Sequence, residues 1–94
     1  MVTFDEALQQ VDALCHAEHD KRGKQFNLSH ELPDFMRRGP HTALDLVFLK
    51  MIRIEDCLNS DDYESSAMMD SCIDMVNYAR YAAAMVLMKV GKNG

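Results

Sequence analysis

Two segments of this chain are apolar around most of their circumference when read as helices, and this feature constrains the fold most. The first segment spans residues 44–58. One side of it carries five apolar residues, Leu44, Val47, Met51, Ile54 and Leu58, and the other side carries three, Leu46, Leu49 and Ile52. The second carries one long stripe: Met69, Cys72, Ile73, Val76, Ala79, Ala83 and Val86. A helix apolar on several sides must be covered on several sides. The pattern predicts an all-α bundle of three to four helices, completed by homo-oligomerisation, because so few helices cannot cover both surfaces.

Capping and breaking residues predict where the first helix lies. Thr3 is a good N-cap, and Glu6 three residues later completes a capping box. Gly23 follows two basic residues, which suit a helix C-terminus, and it is a natural stop. The first helix is therefore expected over roughly residues 4–21.

Capping and helix-breaking residues also predict the helix boundaries in the rest of the chain. Ser29 as a cap and Pro33 in the first turn predict a short second helix, and Gly39-Pro40 is a break before the third. The last helix is expected over roughly residues 64–90, ending before Gly91. No repeat or composition shift divides the 94 residues, so one domain over residues 1–94 is expected.

Composition narrows the functional classes. The net charge of -5 leaves no basic excess for a run of phosphates, so sequence-specific or broad nucleic-acid binding is not expected. Three widely spaced cysteines without a CxxC pair indicate reduced, mostly buried thiols. No signal peptide or membrane-length apolar stretch is evident, so the cytoplasm is the expected location.

The last helix also carries a polar face. Asp70, Asp74, Asn77 and Tyr81 follow the spacing i, i+4, i+7, i+11, which places them on one side. Two carboxylates one turn apart can hold a divalent cation such as Mg²⁺, whose preferred ligands are oxygens and which commonly bridges to phosphates. The alternative is that this face is only the wetted edge of an amphipathic helix.

Basic residues on two other segments are candidates for an anion site. Lys50 and Arg53, at i, i+3 within the third helix, can hold a phosphate or form structural ion pairs with Asp70 and Asp74. The segment from Lys21 to Asn27, which includes Lys24, can clamp an anionic ligand. The alternative for that segment is a set of exposed charges at a helix end.

The combined motifs resemble a family. The run from Asp45 to Ile54 has a K-x-x-R pattern, the run from Asp70 to Ala79 has a D-x-x-x-D-x-x-x-Y-A pattern, and Arg22 to Phe26 resembles an R-G-x-x-Y-G turn. Together, over roughly residues 20–86, they resemble small phage and prophage proteins similar to nucleotide-modification-associated domains and, distantly, to all-α MazG-like nucleotide pyrophosphohydrolases.

The resemblance implies an all-α oligomer that handles a nucleotide between helices, with Mg²⁺ joining carboxylates to phosphates. It implies Lys50 and Arg53 as the basic pair, with Asp70, Asp74 and Tyr78 on the acidic helix. Asn77 joins the substrate-binding candidates because it lies on the same polar face. MazG-like enzymes have a Glu-x-x-Glu pair where this chain has its basic pair, so no catalytic residue is assigned.

Two functional hypotheses follow. The first is a phage-type, MazG-like helical homo-oligomer that binds a nucleotide or related phosphorylated small molecule without necessarily hydrolysing it. If it is active, the expected activity is that of a Mg²⁺-dependent nucleotide pyrophosphohydrolase. The second is a non-enzymatic phage protein that binds and inhibits a host or defence protein, a role that adaptable Met-rich surfaces suit.

Overall fold

Three helices make up most of the described chain. The computed structural model describes residues 1–25, 36, 38–61, 63 and 66–93, with side chains over the same ranges except 23–25 and 90–93. The helices are α1 (Phe4–Gln25), α2 (Pro40–Asn59) and α3 (Ser66–Asn93). No strand occurs in these ranges, so the prediction of an all-α fold is confirmed. Within them, no helix has both the length and the apolar character that a membrane crossing requires.

The start of α1 agrees with the sequence, but its end does not. The amide of Glu6 donates to Thr3 Oγ1 over 3.1 Å, as the capping box predicts. The predicted stop at Gly23 is wrong, because α1 continues to Gln25. A glycine inside a helix costs only about 1 kcal/mol relative to alanine. Arg22, in the turn before it, is fixed to α3 by a short ion pair, and this tertiary contact stabilises the last turn.

The beginning of α2 follows the break at Gly39-Pro40. Gly39 has φ 59° and ψ -130°, a conformation that glycine tolerates and other residues resist. Pro40 then occupies the first helical turn, where its missing amide hydrogen costs nothing. The short helix predicted around Ser29 and Pro33 lies outside the described residues.

The C-terminal end of α3 also differs from the sequence-based expectation. The helix begins at Ser66 and runs through the predicted stop at Gly91 to Asn93. The expected end before Gly91 is therefore wrong. As at Gly23, no left-handed residue is required there, and a long helix can absorb the small cost of one glycine.

Helices α2 and α3 form an antiparallel hairpin that contains most of the core. Ala43, at the start of α2, is fully buried with Ala82, in the second half of α3. Lys50, later in α2, meets Asp74, earlier in α3. Tyr78, Tyr81 and Met85 pack around the buried cluster, to which Met36 also belongs.

Helix α1 lies against α3 and covers little of it. Its main buried residue is Cys15, which sits beside the fully buried Asn77. Among the described residues, five apolar side chains are buried, whereas seventeen large ones are exposed. A chain of this size has a small core, and here much apolar material remains outside it.

Candidate functional site

One carboxylate joins all three helices. Asp74 on α3 accepts a 2.6 Å bond to Oδ1 from Arg22 Nη2 of α1. Its other oxygen, Oδ2, lies 3.0 Å from Lys50 Nζ of α2. The three side chains are only 12–18% exposed, so these ion pairs are largely shielded from solvent. Of the two alternatives that the sequence left open for Lys50, the structural ion pair with Asp74 is present.

Arg22 is the best-connected cation of the described chain. Besides its bond to Asp74, its Nε lies 3.8 Å from Glu18 Oε1. Its guanidinium carbon also lies 4.6 Å from the centre of the Tyr78 ring, within the range of a cation–π contact. Tyr78, predicted to touch a ligand, here supports the arginine that holds Asp74.

A recess between α2 and α3 brings four of the predicted site residues together. It has a volume of about 480 Å³, and Lys50, Arg53, Asp70 and Asp74 all line it. The remaining lining residues are Asp56, Cys57, Ala67 and Ser71. We call this space the hairpin recess. Its lining combines two cationic and three anionic side chains, so its walls are mixed in charge rather than basic.

A second recess lies on the other side of the same carboxylates. It has a volume of about 300 Å³ between α1 and α3, and Lys21 and Glu18 face Asp70 and Asp74 across it. The sequence-predicted residue Lys21 thus reaches the acidic face of α3. Lys24 lies in the last turn of α1, outside the residues whose side chains are described.

Asn77 is placed inside the protein. Its Nδ2 donates to the Cys15 carbonyl over 3.0 Å, and its Oδ1 accepts from Arg80 Nη1 over 3.0 Å. The residue is 0% exposed, and neither of the two recesses is lined by it. Its amide nitrogen therefore holds α1 against α3, whereas its amide oxygen is used within α3. A ligand in either recess would not reach it.

Tyr81 completes the contact between α1 and α3. Its hydroxyl and His19 Nδ1 share a hydrogen bond of 2.9 Å. Burial raises the pKa of Tyr81, and the nearby Arg22 opposes that shift. The phenol is thus held in its neutral form, which suits a packing and hydrogen-bonding role.

Burial disfavours the thiolate form of two of the three cysteines. All three are free thiols, with Cys15 buried and Cys57 and Cys72 partly buried. Burial raises the pKa of Cys15, and burial followed by the proximity of Cys57 raises the pKa of Cys72. A raised pKa disfavours the reactive thiolate.

The residues present fit a magnesium ion poorly. Both oxygens of Asp74 already face cations, so Mg²⁺ would have to displace Arg22 or Lys50. Within the described ranges, no group of three or more His, Cys, Asp or Glu side chains is arranged to hold a metal ion. The arrangement fits the alternative of a structural ion pair between this carboxylate and the basic residues.

Sequence reasoning missed Arg22, Glu18 and His19 as the side chains that meet α3. The one available signal for Arg22 was its place in the basic segment beside Lys21 and Lys24. Comparison of the chain with family models, curated proteins and solved structures finds no match.

Proposed function

We propose that this protein binds a nucleotide or a related phosphorylated small molecule in the hairpin recess, without hydrolysing it. The observation that supports this proposal is the convergence of Lys50, Arg53, Asp70 and Asp74 on one recess. Polar side chains that converge on one concave space are the feature that fixes a small molecule in its site.

Arg53 is the residue best placed to meet a phosphate. It is exposed, and it forms no ion pair with any side chain in the described ranges. A guanidinium presents a planar fork of donors that matches phosphate geometry. Lys50 lies one turn away and adds a second positive charge, although Asp74 neutralises part of it.

The acidic lining determines which phosphate compounds fit. Asp56 and Asp70 would repel a bare phosphate, but they can accept hydrogen bonds from amino or hydroxyl groups. A nucleotide carries both kinds of group, since its phosphate is anionic while its base and sugar donate hydrogen bonds. The recess volume of about 480 Å³ also falls within the range of small-molecule pockets.

The proposal is tested by calorimetric titration with nucleoside mono-, di- and triphosphates and with pyrophosphate, each with and without Mg²⁺. We expect a nucleotide to bind more tightly than pyrophosphate, and we expect no requirement for Mg²⁺. If no compound of the panel produces a binding heat, the proposal is wrong.

A matched pair of variants locates the site. Arg53→Ala should weaken binding about tenfold or more, because a hydrogen bond to a charged group contributes roughly 1.5–3 kcal/mol. Arg38→Ala removes another exposed arginine, which pairs with Asp45 away from the recess, and it should leave affinity unchanged. If the two variants bind the nucleotide with equal affinity, the binding site does not include Arg53 and lies elsewhere.

A second candidate function is that of a non-enzymatic protein that binds and inhibits a host or defence protein. It is favoured by the apolar side chains at the start of α1, of which Phe4 is 77% exposed. Val2 and Leu8 are exposed beside it. One stoichiometric partner whose binding is lost in Phe4→Ser and kept in Arg53→Ala would support this function over nucleotide binding.

A further inference from the structure

The outer side of α2 carries a regular apolar stripe that the hairpin does not cover. Leu44, Phe48, Met51 and Leu58 are all 41–58% exposed. Their spacing of 4, 3 and 7 residues places them on one line along the helix, interrupted only by Glu55. The core residues of α2, such as Ala43, lie on a different face.

Helix α3 carries a matching stripe of smaller residues. Val76, Ala79, Ala83 and Val86 follow a spacing of 3, 4 and 3, and all four are exposed. Alanines at such positions allow a second helix to approach closely. Ala83 also borders a recess beside His19 of α1, but the stripe as a whole is distinct from the face of α3 that meets α1 through Asn77.

Both stripes lie on the same side of the hairpin. On α3, the stripe is about 110° of helical rotation from the face that meets α2, and the α1 contacts lie about as far in the opposite direction. On α2, the apolar stripe is likewise about 110° from the face that meets α3. Because the two helices run antiparallel, these equal rotations bring both stripes to the side opposite α1. We call this surface the back face.

We propose that the back face binds the back face of a second copy of this chain. Large side chains on α2 lie beside small ones on α3, so a two-fold rotation sets the large row of each copy over the small row of the other. The surface is therefore complementary to itself. Closed two-fold pairing is also the commonest form of self-association.

The area of the back face is of the right order for this pairing. Six exposed side chains of Leu, Phe, Met and Val, at roughly 80 Å² each, together with two alanines, present about 600 Å² of apolar surface. Monomeric proteins seldom expose larger apolar patches, and stable interfaces cover roughly 800 Å² on each partner. One copy therefore offers most of an interface.

This inference is independent of nucleotide binding. The hairpin recess and α1 lie on the opposite side of the hairpin, so pairing through the back face leaves the recess open. Failure of one proposal does not affect the other.

The test is the mass of the full chain in solution, measured by light scattering and sedimentation. Wild type should have twice the mass of one 10.7 kDa chain. Ala79→Glu should be a monomer, with its dissociation constant raised about a hundredfold or more, because it places an unpaired carboxylate in an apolar interface. Ala13→Glu makes the same change at an exposed position of α1 and should remain a dimer.

Circular dichroism should show equal helix content in both variants. If Ala79→Glu fails to fold, Phe48→Ser tests the same face from α2. If the wild-type protein is monomeric up to about 100 μM, the proposal is wrong, and the back face would instead be a candidate surface for binding a different protein. A dimer that both back-face variants leave intact, or an assembly of more than two copies, would overturn it too.

Discussion

Asp74 and Arg53 illustrate two roles that charged residues take around the same recess. Asp74 is largely shielded and receives a cation from each of two other helices. Arg53 is exposed and forms no ion pair among the described residues. A shielded, fully paired charge serves the fold, whereas an exposed, unpaired one is available to a ligand. Variants of the two residues should therefore separate stability from binding.

Removing the charge of Asp74 should destabilise the protein strongly. Asp74→Asn would leave Lys50 without its counter-charge and Arg22 with only the more distant Glu18, although both cations are at most 14% exposed. Breaking a buried pair costs about 3 kcal/mol or more, because the partner stays buried and uncompensated. Urea unfolding measures this loss.

Asp45→Asn is the matched control for that experiment. It breaks the Arg38–Asp45 pair, whose side chains are 69% and 72% exposed. Its free energy of unfolding should change by less than about 0.5 kcal/mol, since exposed pairs contribute little. Similar losses for the two variants would contradict the structural role given to Asp74.

Tyr81 should make stability fall at high pH. Its pKa is raised in the folded protein above the usual 10.0, chiefly by burial. Above about pH 10 the unfolded chain releases a phenol proton that the folded chain retains, so unfolding becomes more favourable as pH rises. The stabilisation is complete below the unfolded pKa and is lost as pH passes the folded one. Unfolding free energies measured from about pH 8 to 11 should decline less steeply in Tyr81→Phe than in wild type.

The residues of the recess were partly predictable from the sequence. The i, i+4 spacing puts Asp70 and Asp74 on one side of a helix, and the i, i+3 spacing does the same for Lys50 and Arg53. Local periodicity carries that information. The contact of Arg22 with Asp74 was not predictable, because it depends on where α1 crosses α3, and no local pattern encodes that crossing.

At the scale of helices, α1 is attached to α3 mainly by polar contacts. Apart from Cys15, most of its apolar side chains are partly or fully exposed. Hydrogen bonds from Asn77 and between His19 and Tyr81, with the Arg22–Asp74 ion pair, hold it in place. Polar attachments at a few points can open locally without loss of the hairpin core.

Asn77→Ala should therefore loosen α1 selectively. The change removes the bond from the Asn77 side chain to the Cys15 carbonyl, which keeps its backbone partner within α1, at a cost of about 0.5–1.5 kcal/mol. Hydrogen exchange should accelerate in the amides of α1 while those of α2 and of the middle of α3 change little. Uniform acceleration in all three helices would indicate instead that the chain opens as one unit.

Helix existence was predicted better than helix length. The capping box at Thr3 and the Gly39-Pro40 break indicate real beginnings, since each meets a backbone requirement of a helix start. Gly23 and Gly91 do not end their helices, because glycine permits a stop without enforcing one. Whether a helix passes through a glycine depends on the contacts of its neighbours, such as Arg22, and these lie far away in the sequence.

At the scale of the whole molecule, the described part of the chain exposes more large apolar side chains than it buries. The sequence predicted this excess, because α2 and α3 were each apolar on more than one side. What it could not predict was their arrangement. Only the antiparallel packing of Ala43 near Ala82 shows that the two uncovered stripes share one side of the hairpin.

Thermal stability should depend on protein concentration. If two folded copies pair, each tenfold rise in concentration should raise Tm by about 3–6 °C, because association stabilises the folded state by mass action. Ala79→Glu should melt at a temperature independent of concentration, and Ala13→Glu should behave like wild type. Scanning calorimetry over a hundredfold range of concentration makes the comparison.

The meeting of three helices at Asp74 also implies an order of assembly. Lys50 is 24 positions from Asp74, whereas Arg22 is 52 positions away, so the first contact closes a much shorter loop. Short-range contacts form sooner, and the hairpin should be present before α1 arrives. Pulsed exchange during refolding should protect α2 and α3 first. Helix α1 would then dock last, and Arg22 would bind an Asp74 carboxylate that Lys50 of α2 already holds in position.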